Sequence, residues 1–126
     1  MELNKLSEIV IGAVIEVHKR LGPGLLESVY QQCLVYELKL KGLDVVTEVK
    51  LPIQYKGLSL SEGFRLDLLV SNELVVELKA VDKLSSIYTA QLLSYLKMGG
   101  FPLGLLINFN VPVLKQGIKR IINTPL

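Results

Sequence analysis

Asp67 and the triplet Glu77-Leu78-Lys79 form the pattern D…ExK, two acids and a lysine that one β-hairpin could bring together. Strand side chains alternate faces, so Glu77 and Lys79 share a face, and antiparallel pairing can set Asp67 beside them. Metal-assisted hydrolysis of a phosphodiester uses these groups. Hard carboxylate oxygens hold Mg²⁺ or Mn²⁺ with water positions left open. An ammonium beside the bound water orients it, assists its deprotonation or steadies developing negative charge. The same residues also fit an ordinary hairpin with one wet face, on which Arg65, Asp67, Glu77 and Lys79 form cross-strand ion pairs.

The hairpin that must position these groups is written in alternation. Phe64, Leu66, Leu68 and Val70 alternate with Arg65, Asp67 and Leu69; Leu74, Val76, Leu78 and Ala80 alternate with Glu73, Val75, Glu77 and Lys79. Register decides between the two readings. A loop of Ser71-Asn72 alone would set Asp67 opposite Val76 and send the two acids to opposite sides of the sheet. The site demands a loop from Ser71 to Glu73, or a nearby bulge, with Asp67 opposite Glu77.

Around the hairpin, Leu6, Ile9, Val10, Ala13, Val14, Val17 and Leu21 fall at helical spacing, with Asn4 as N-cap and LGPG at Leu21 to Gly24 as the stop. A second helix is predicted from about Leu25 to Lys41, with Leu26, Val29, Tyr30, Cys33 and Leu34 inward and Gly42 closing it. VVTEVKLPIQYKGLSL reads as two strands about a Lys56-Gly57 turn, and Pro52 marks an edge or a bulge. Ser85 or Ser86 caps a third helix through about Met98, closed by Gly99-Gly100, and LGLLINF reads as a strand buried on both faces. Strand, helix and buried strand imply a right-handed parallel crossover. The tail LKQGIKRIIN fits a short strand or a helix. The predicted order is α-α-β-β-β-β-α-β, an α/β (α+β) fold whose mixed sheet carries packed helices.

Two helices hold further candidates. Gly24, Glu27 and Tyr30 stand at three-residue steps, so Glu27 and Tyr30 share a face. Glu27 is either a third carboxylate for the metal or an acid suited to a helix N-terminus, with Tyr30 then a core residue. Tyr88, Gln91 and Tyr95 share a face of the third helix. Its one charge, Lys97, predicts burial on most sides, and a buried Gln91 would need partners. His18 reads as structural at a helix end and Cys33 as core.

Composition bounds the rest. With 126 residues, half of them apolar and 21% charged, the chain is expected to be one folded domain over 1–126, and wholesale disorder is excluded. The single Cys33 excludes an internal disulfide and suits a reducing compartment. Glu2, Glu8 and Glu16 interrupt any secretory apolar run, and glycine, proline and asparagine interrupt the charge-free stretch from Met98 to Leu114. The expectation is therefore a cytoplasmic protein with no membrane partner. Net charge +2 does not by itself announce nucleic acid. The apolar third helix and the segment Leu103 to Val113 are compatible with a homodimer.

Six pieces taken together resemble the GxxExxY protein family, which is grouped with the PD-(D/E)XK nuclease superfamily. They are LGPGLLESVY at Leu21 to Tyr30, YKG at Tyr55 to Gly57, RLDLLV at Arg65 to Val70, ELKAV at Glu77 to Val81, QLLSYL at Gln91 to Leu96 and LLINF at Leu105 to Phe109. The signature triple is Gly24, Glu27 and Tyr30. The resemblance implies an αβββαβ restriction-endonuclease-like core with an extra N-terminal helix. Asp67, Glu77 and Lys79 stand at the metal and catalytic positions, Glu27 at the helix-borne acid, and Gln91 with Tyr95 at the QxxxY element. Leu66 replaces the proline of the superfamily's name. The expected protein is a Mg²⁺- or Mn²⁺-dependent nuclease acting on nucleic acid, with DNA the expected substrate. Glu27, Asp67, Glu77 and the Leu78 carbonyl would serve the metal, and Lys79, Gln91 and Tyr95 the catalysis. The rival is a nucleic-acid-binding or protein-interaction module that keeps the fold without turnover; a hydrolase of small phosphates would need a closed pocket.

Overall fold

Apolar residues at helical spacing put Leu6, Val10, Ala13, Val14 and Val17 on one buried stripe. In the computed structural model, which describes residues 1–124, they belong to helix α1 (Leu3–Leu21). Its N-cap is Glu2, not Asn4: the Glu2 carboxylate accepts from the Asn4 amide, so the helix starts earlier than predicted. Gly22, at φ 71°, ends it. Helix α2 (Glu27–Leu40) buries Tyr30, Leu34 and Leu38, whereas Leu26, predicted inward, is the N-cap and 72% exposed. Its end is a Schellman turn: Gly42 N–H donates to the Lys39 carbonyl and Leu43 N–H to the Leu38 carbonyl, with Gly42 at φ 76°.

Strands β1 (Val45–Tyr55) and β2 (Leu58–Val70) pair antiparallel across Lys56-Gly57, whose φ values of 47° and 85° suit a tight hairpin turn. The two strands expected between Leu58 and Val70 are one. β2 runs through Gly63, where a Cβ would collide with the Leu51 carbonyl, and the register of β1 shifts between Leu51 and Ile53, around Pro52. Strand β3 (Leu74–Lys79) pairs antiparallel with β2. Helix α3 (Ser86–Gly99), capped by the Ser85 hydroxyl, leads to β4 (Leu103–Asn108), which lies parallel to β3. The undecided tail is both of its alternatives, a 3₁₀ turn (Leu114–Gly117) followed by β5 (Ile118–Ile122) antiparallel to β4. One five-stranded mixed sheet results, ordered β1-β2-β3-β4-β5.

The sheet separates two apolar clusters. Val70, Leu74, Val76, Leu78, Leu105, Ile107 and Phe109 pack under α1 and α2; Leu69, Val75 and Leu106 pack with Leu92, Tyr95 and Leu96 of α3. Phe64, Leu66, Leu68 and Val70 do not share one face as their alternation predicted. Leu68 and Val70 join the first cluster, Phe64 and Leu66 the second. β1 changes sides at the same level, with Val45 in the first cluster and Val49 in the second. Glu48, at φ 54°, stands at the changeover, between the pairs Thr47↔Leu68 and Val49↔Leu66. A left-handed residue within a strand reverses the side-chain alternation beyond it.

α3 is less buried than its composition predicted. It is an outer layer with one face on the sheet, and it leaves Ile87 65% and Met98 45% exposed. The run Leu103 to Asn108 is an inner strand of the sheet, and beyond it Val113 is 55% exposed. Among the described residues, no helix is long and apolar enough to cross a membrane.

Candidate active site

The loop between β2 and β3 runs from Ser71 to Glu73. Val70 pairs with Leu74, the Glu73 amide donates to the Val70 carbonyl at 3.1 Å, and Ser71 and Asn72 take φ values of 51° and 61°. This odd loop gives the register that the site requires. The pairing runs Val70↔Leu74, Leu69↔Val75, Leu68↔Val76, and its next step sets Asp67 opposite Glu77.

At that step side chains replace the backbone ladder. The Asp67 amide donates to Glu77 Oε1 at 2.9 Å, and the Leu78 amide donates to Asp67 Oδ2 at 2.8 Å. Each acid is thereby clamped by the opposite strand, and the strands part between them. The N–H and C=O of a strand residue point to the same neighbour, so the Leu78 carbonyl also faces this opening.

The electrostatics follow from the closeness of two like charges. Glu77 is only 6% exposed. Burial first, and then the Asp67 charge, push its carboxyl up to about 8, and the two carboxyls are close enough to share a proton. Burial and the charges of Glu77 and Asp67 likewise raise the Tyr95 hydroxyl, whose ring also packs against Phe64 with centroids 4.4 Å apart. Glu27 reaches the same place from the first turn of α2. Its carboxyl is raised by burial and by Asp67, while Lys79 and the Ala80 amide favour the charged form.

Lys79 Nζ lies 4.6 Å from the centre of the Tyr88 ring, a cation–π contact that carries its ammonium toward α3. Arg65 is paired with Glu48 at 2.9 Å, and among the described residues no ion pair joins Arg65 or Lys79 to Asp67, Glu77 or Glu27. The cross-strand ion pairs of the ordinary hairpin are therefore not what holds these acids. Also among the described residues, no three His, Cys, Asp or Glu side chains stand close enough to form a ready metal cage.

The donor set nonetheless fits a hard divalent cation. Two carboxyls face one another, and burial first, then its neighbour's charge, favours the protonated form of one of them. A cation replacing the shared proton would relieve that repulsion, with waters filling most of its shell.

The other candidates divide. Tyr95 is buried beside the acids, whereas Gln91, expected to be buried, is exposed on the helix face it shares with Tyr88 and Tyr95. Gly24 sits at φ 95° in the turn before α2. Tyr30 is more than core, because its hydroxyl donates to the Gly22 carbonyl at 2.6 Å and accepts from the Leu25 amide at 3.1 Å. His18 is buried with Nε2 2.8 Å from the Val111 carbonyl, and Cys33 is half-buried against the core. A groove of about 300 Å³ between α1 and α2, lined by Val17, Leu21, Cys33 and Tyr36 among others, includes none of Glu27, Asp67 and Glu77.

Two supporting residues escaped the sequence reading. Asn108 is 2% exposed; its side chain donates to the Val81 carbonyl at 2.9 Å and accepts from the amides of Val81 and Asn110, both at 3.1 Å. Asn108 stands opposite Lys79 in the β3–β4 register, so it pins the chain just beyond that lysine. A lone amide inside the apolar run LLINF was its signal. Glu48 ties Arg65 of β2 to Gln31 of α2, with Gln31 Nε2 donating to Glu48 Oε1 at 3.1 Å. Nothing in the sequence marked it.

A family model described as the PD-(D/E)XK nuclease superfamily matches residues 4–121. No curated protein and no solved structure matches the chain.

Proposed function

From a chain that belongs to the PD-(D/E)XK nuclease superfamily, with the restriction-endonuclease-like fold that goes with it, we propose a Mg²⁺- or Mn²⁺-dependent nuclease that hydrolyses phosphodiester bonds of DNA. The observation that carries this reading is the parted strand pair, with Asp67 and Glu77 facing each other across it. Asp67, Glu77 and the Leu78 carbonyl would hold the cation, and Glu27 would complete or orient the site. When bound, the cation supplies a nucleophilic water at neutral pH and a positive charge beside the phosphate. Lys79, as an ammonium, would orient that water, help it lose its proton by stabilising the hydroxide, or steady charge on the phosphate. Tyr95 supports the acids from the α3 side, and Gln91, being exposed, is free to meet a phosphate. The triple Gly24, Glu27 and Tyr30 supports assignment to the GxxExxY group, and the lone cysteine supports a cytoplasmic location.

The test is incubation of labelled single-stranded and duplex DNA and RNA with Mg²⁺, Mn²⁺ or Ca²⁺. Cleavage of DNA is expected with Mg²⁺ or Mn²⁺ and little with Ca²⁺. Asp67→Ala, Glu77→Ala and Lys79→Ala should each lose at least roughly a hundredfold in rate. Cleavage retained in all three variants would assign the activity to another site or a contaminant. Binding without cleavage under every metal would favour the non-catalytic module.

A further inference from the structure

The segment from Gly22 to Tyr30 contains a clamp that the proposed chemistry does not use. Helix α2 begins without a side-chain cap: its N-cap is Leu26, which makes no such hydrogen bond. An uncapped first turn frays, and Glu27 is the first residue of that turn. Something else must fix its direction.

Tyr30 supplies the constraint. Its hydroxyl bridges the Gly22 carbonyl and the Leu25 amide, closing the turn on both sides of Pro23 and Gly24. Its ring is fully buried and stacks on Phe109, with centroids 4.2 Å apart and planes 3° from parallel. The Phe109 amide in turn donates to the Lys79 carbonyl at 3.0 Å. One side chain therefore joins the turn that launches Glu27 to the strand end that carries Lys79. Gly24 belongs to the same device, since at φ 95° it adopts a backbone that other residues enter with strain.

We propose that the Tyr30 hydroxyl is a positioning group, locking the α1–α2 turn so that the Glu27 carboxylate is held at the mouth of the parted β2–β3 strands. The inference rests on the reading that Glu27 belongs to the site. It accounts for the three-residue steps of Gly24, Glu27 and Tyr30: the glycine permits the turn, the tyrosine closes it, and the acid between them is aimed.

The test uses the metal-free, ¹⁵N-labelled full chain and the amide resonance of Ala80, the backbone group that Glu27 faces. Glu27→Gln defines the shift caused by loss of the carboxylate charge. Tyr30→Phe keeps the ring and removes only the hydroxyl; it should move the Ala80 resonance at least halfway to the Glu27→Gln position. In the double variant it should add little. Gly24→Ala is the second probe, because the added methyl meets nothing within 4 Å and only the backbone is strained; it should shift Ala80 in the same sense. An Ala80 resonance unmoved by both Tyr30→Phe and Gly24→Ala, while the Leu25 amide shifts, would overturn the inference whatever the protein cleaves. In cleavage assays Tyr30→Phe should lose roughly ten- to a hundredfold in turnover, without further loss when combined with Glu27→Gln. Additive losses would also overturn it. A wild type that cleaves nothing, with Ala80 responding as expected, would remove the nuclease reading and leave the clamp standing.

Discussion

Glu77 is where burial and charge act most strongly on one residue. In the metal-free protein it keeps its proton up to about pH 8, whereas in the unfolded chain it releases it near the ordinary value of 4.5. Between those values the folded state binds more protons, so stability falls as pH rises through that window. Thermal melts of metal-free protein should therefore show a decline from pH 5 to pH 9. Glu77→Gln should flatten the decline and, at pH 9, exceed the wild type by roughly a few kcal/mol. A wild-type curve flat across this range would mean that Glu77 ionises freely and is not held against Asp67. Had the acid belonged to an ordinary cross-strand ion pair, neutralising it would instead cost up to about 1 kcal/mol. The two accounts predict opposite signs.

The hairpin loop is the element that decides whether chemistry is available at all. Val70↔Leu74 pairing across Ser71, Asn72 and Glu73 puts the acids opposite each other; one residue fewer would part them. The loop holds its shape through two residues in left-handed backbone, and asparagine tolerates that region better than serine does. Ser71→Gly should accordingly stabilise the protein by roughly 0.5–1 kcal/mol, since the relief of strain exceeds the entropy that glycine adds to the unfolded chain. A melting temperature that falls would show that the serine side chain itself holds the loop. The strand ends beyond the loop are pinned in turn: Asn108 holds Val81 just past Lys79, and Glu48 ties Arg65 just before Asp67.

For the whole molecule, metal binding and folding are linked. Two carboxylates held together against their own repulsion cost stability until a cation enters, so a cation that binds only the folded chain stabilises it by mass action. Mn²⁺ at tenfold over its dissociation constant should add about 1.4 kcal/mol, a few degrees in melting temperature for a domain of this size. The double variant Asp67→Asn with Glu77→Gln should lose that increment. A wild type indifferent to Mn²⁺ at about 10 mM, ten times a typical weak constant, would count heavily against a metal site. The measurement needs no substrate and so separates binding of the ion from turnover.

Much of this molecule was written locally. Apolar spacing marked α1, glycines 22, 42 and 100 marked the helix ends, Lys56-Gly57 marked a hairpin, and the D…ExK pattern marked the acids. These are effects of near neighbours along the chain: backbone conformation and the repeat of a helix or strand. The failures share one cause, which is that burial depends on what arrives from elsewhere. Gln91 and Leu26 looked buried by spacing, yet both are exposed. The alternation from Phe64 to Val70 implied one face, but left-handed Glu48 on the neighbouring strand sits where the hairpin changes sides. The loop from Ser71 to Glu73 that sets Asp67 against Glu77 follows from the sequence only on the premise that the two acids form a site. Parting of the strands, desolvation of Glu77, arrival of Glu27 from α2 and the hold of Asn108 on Val81 were decided by tertiary structure. Each joins residues far apart in the chain, and only packing of helices on both faces of the sheet brings them within reach of a hydrogen bond or an unscreened charge.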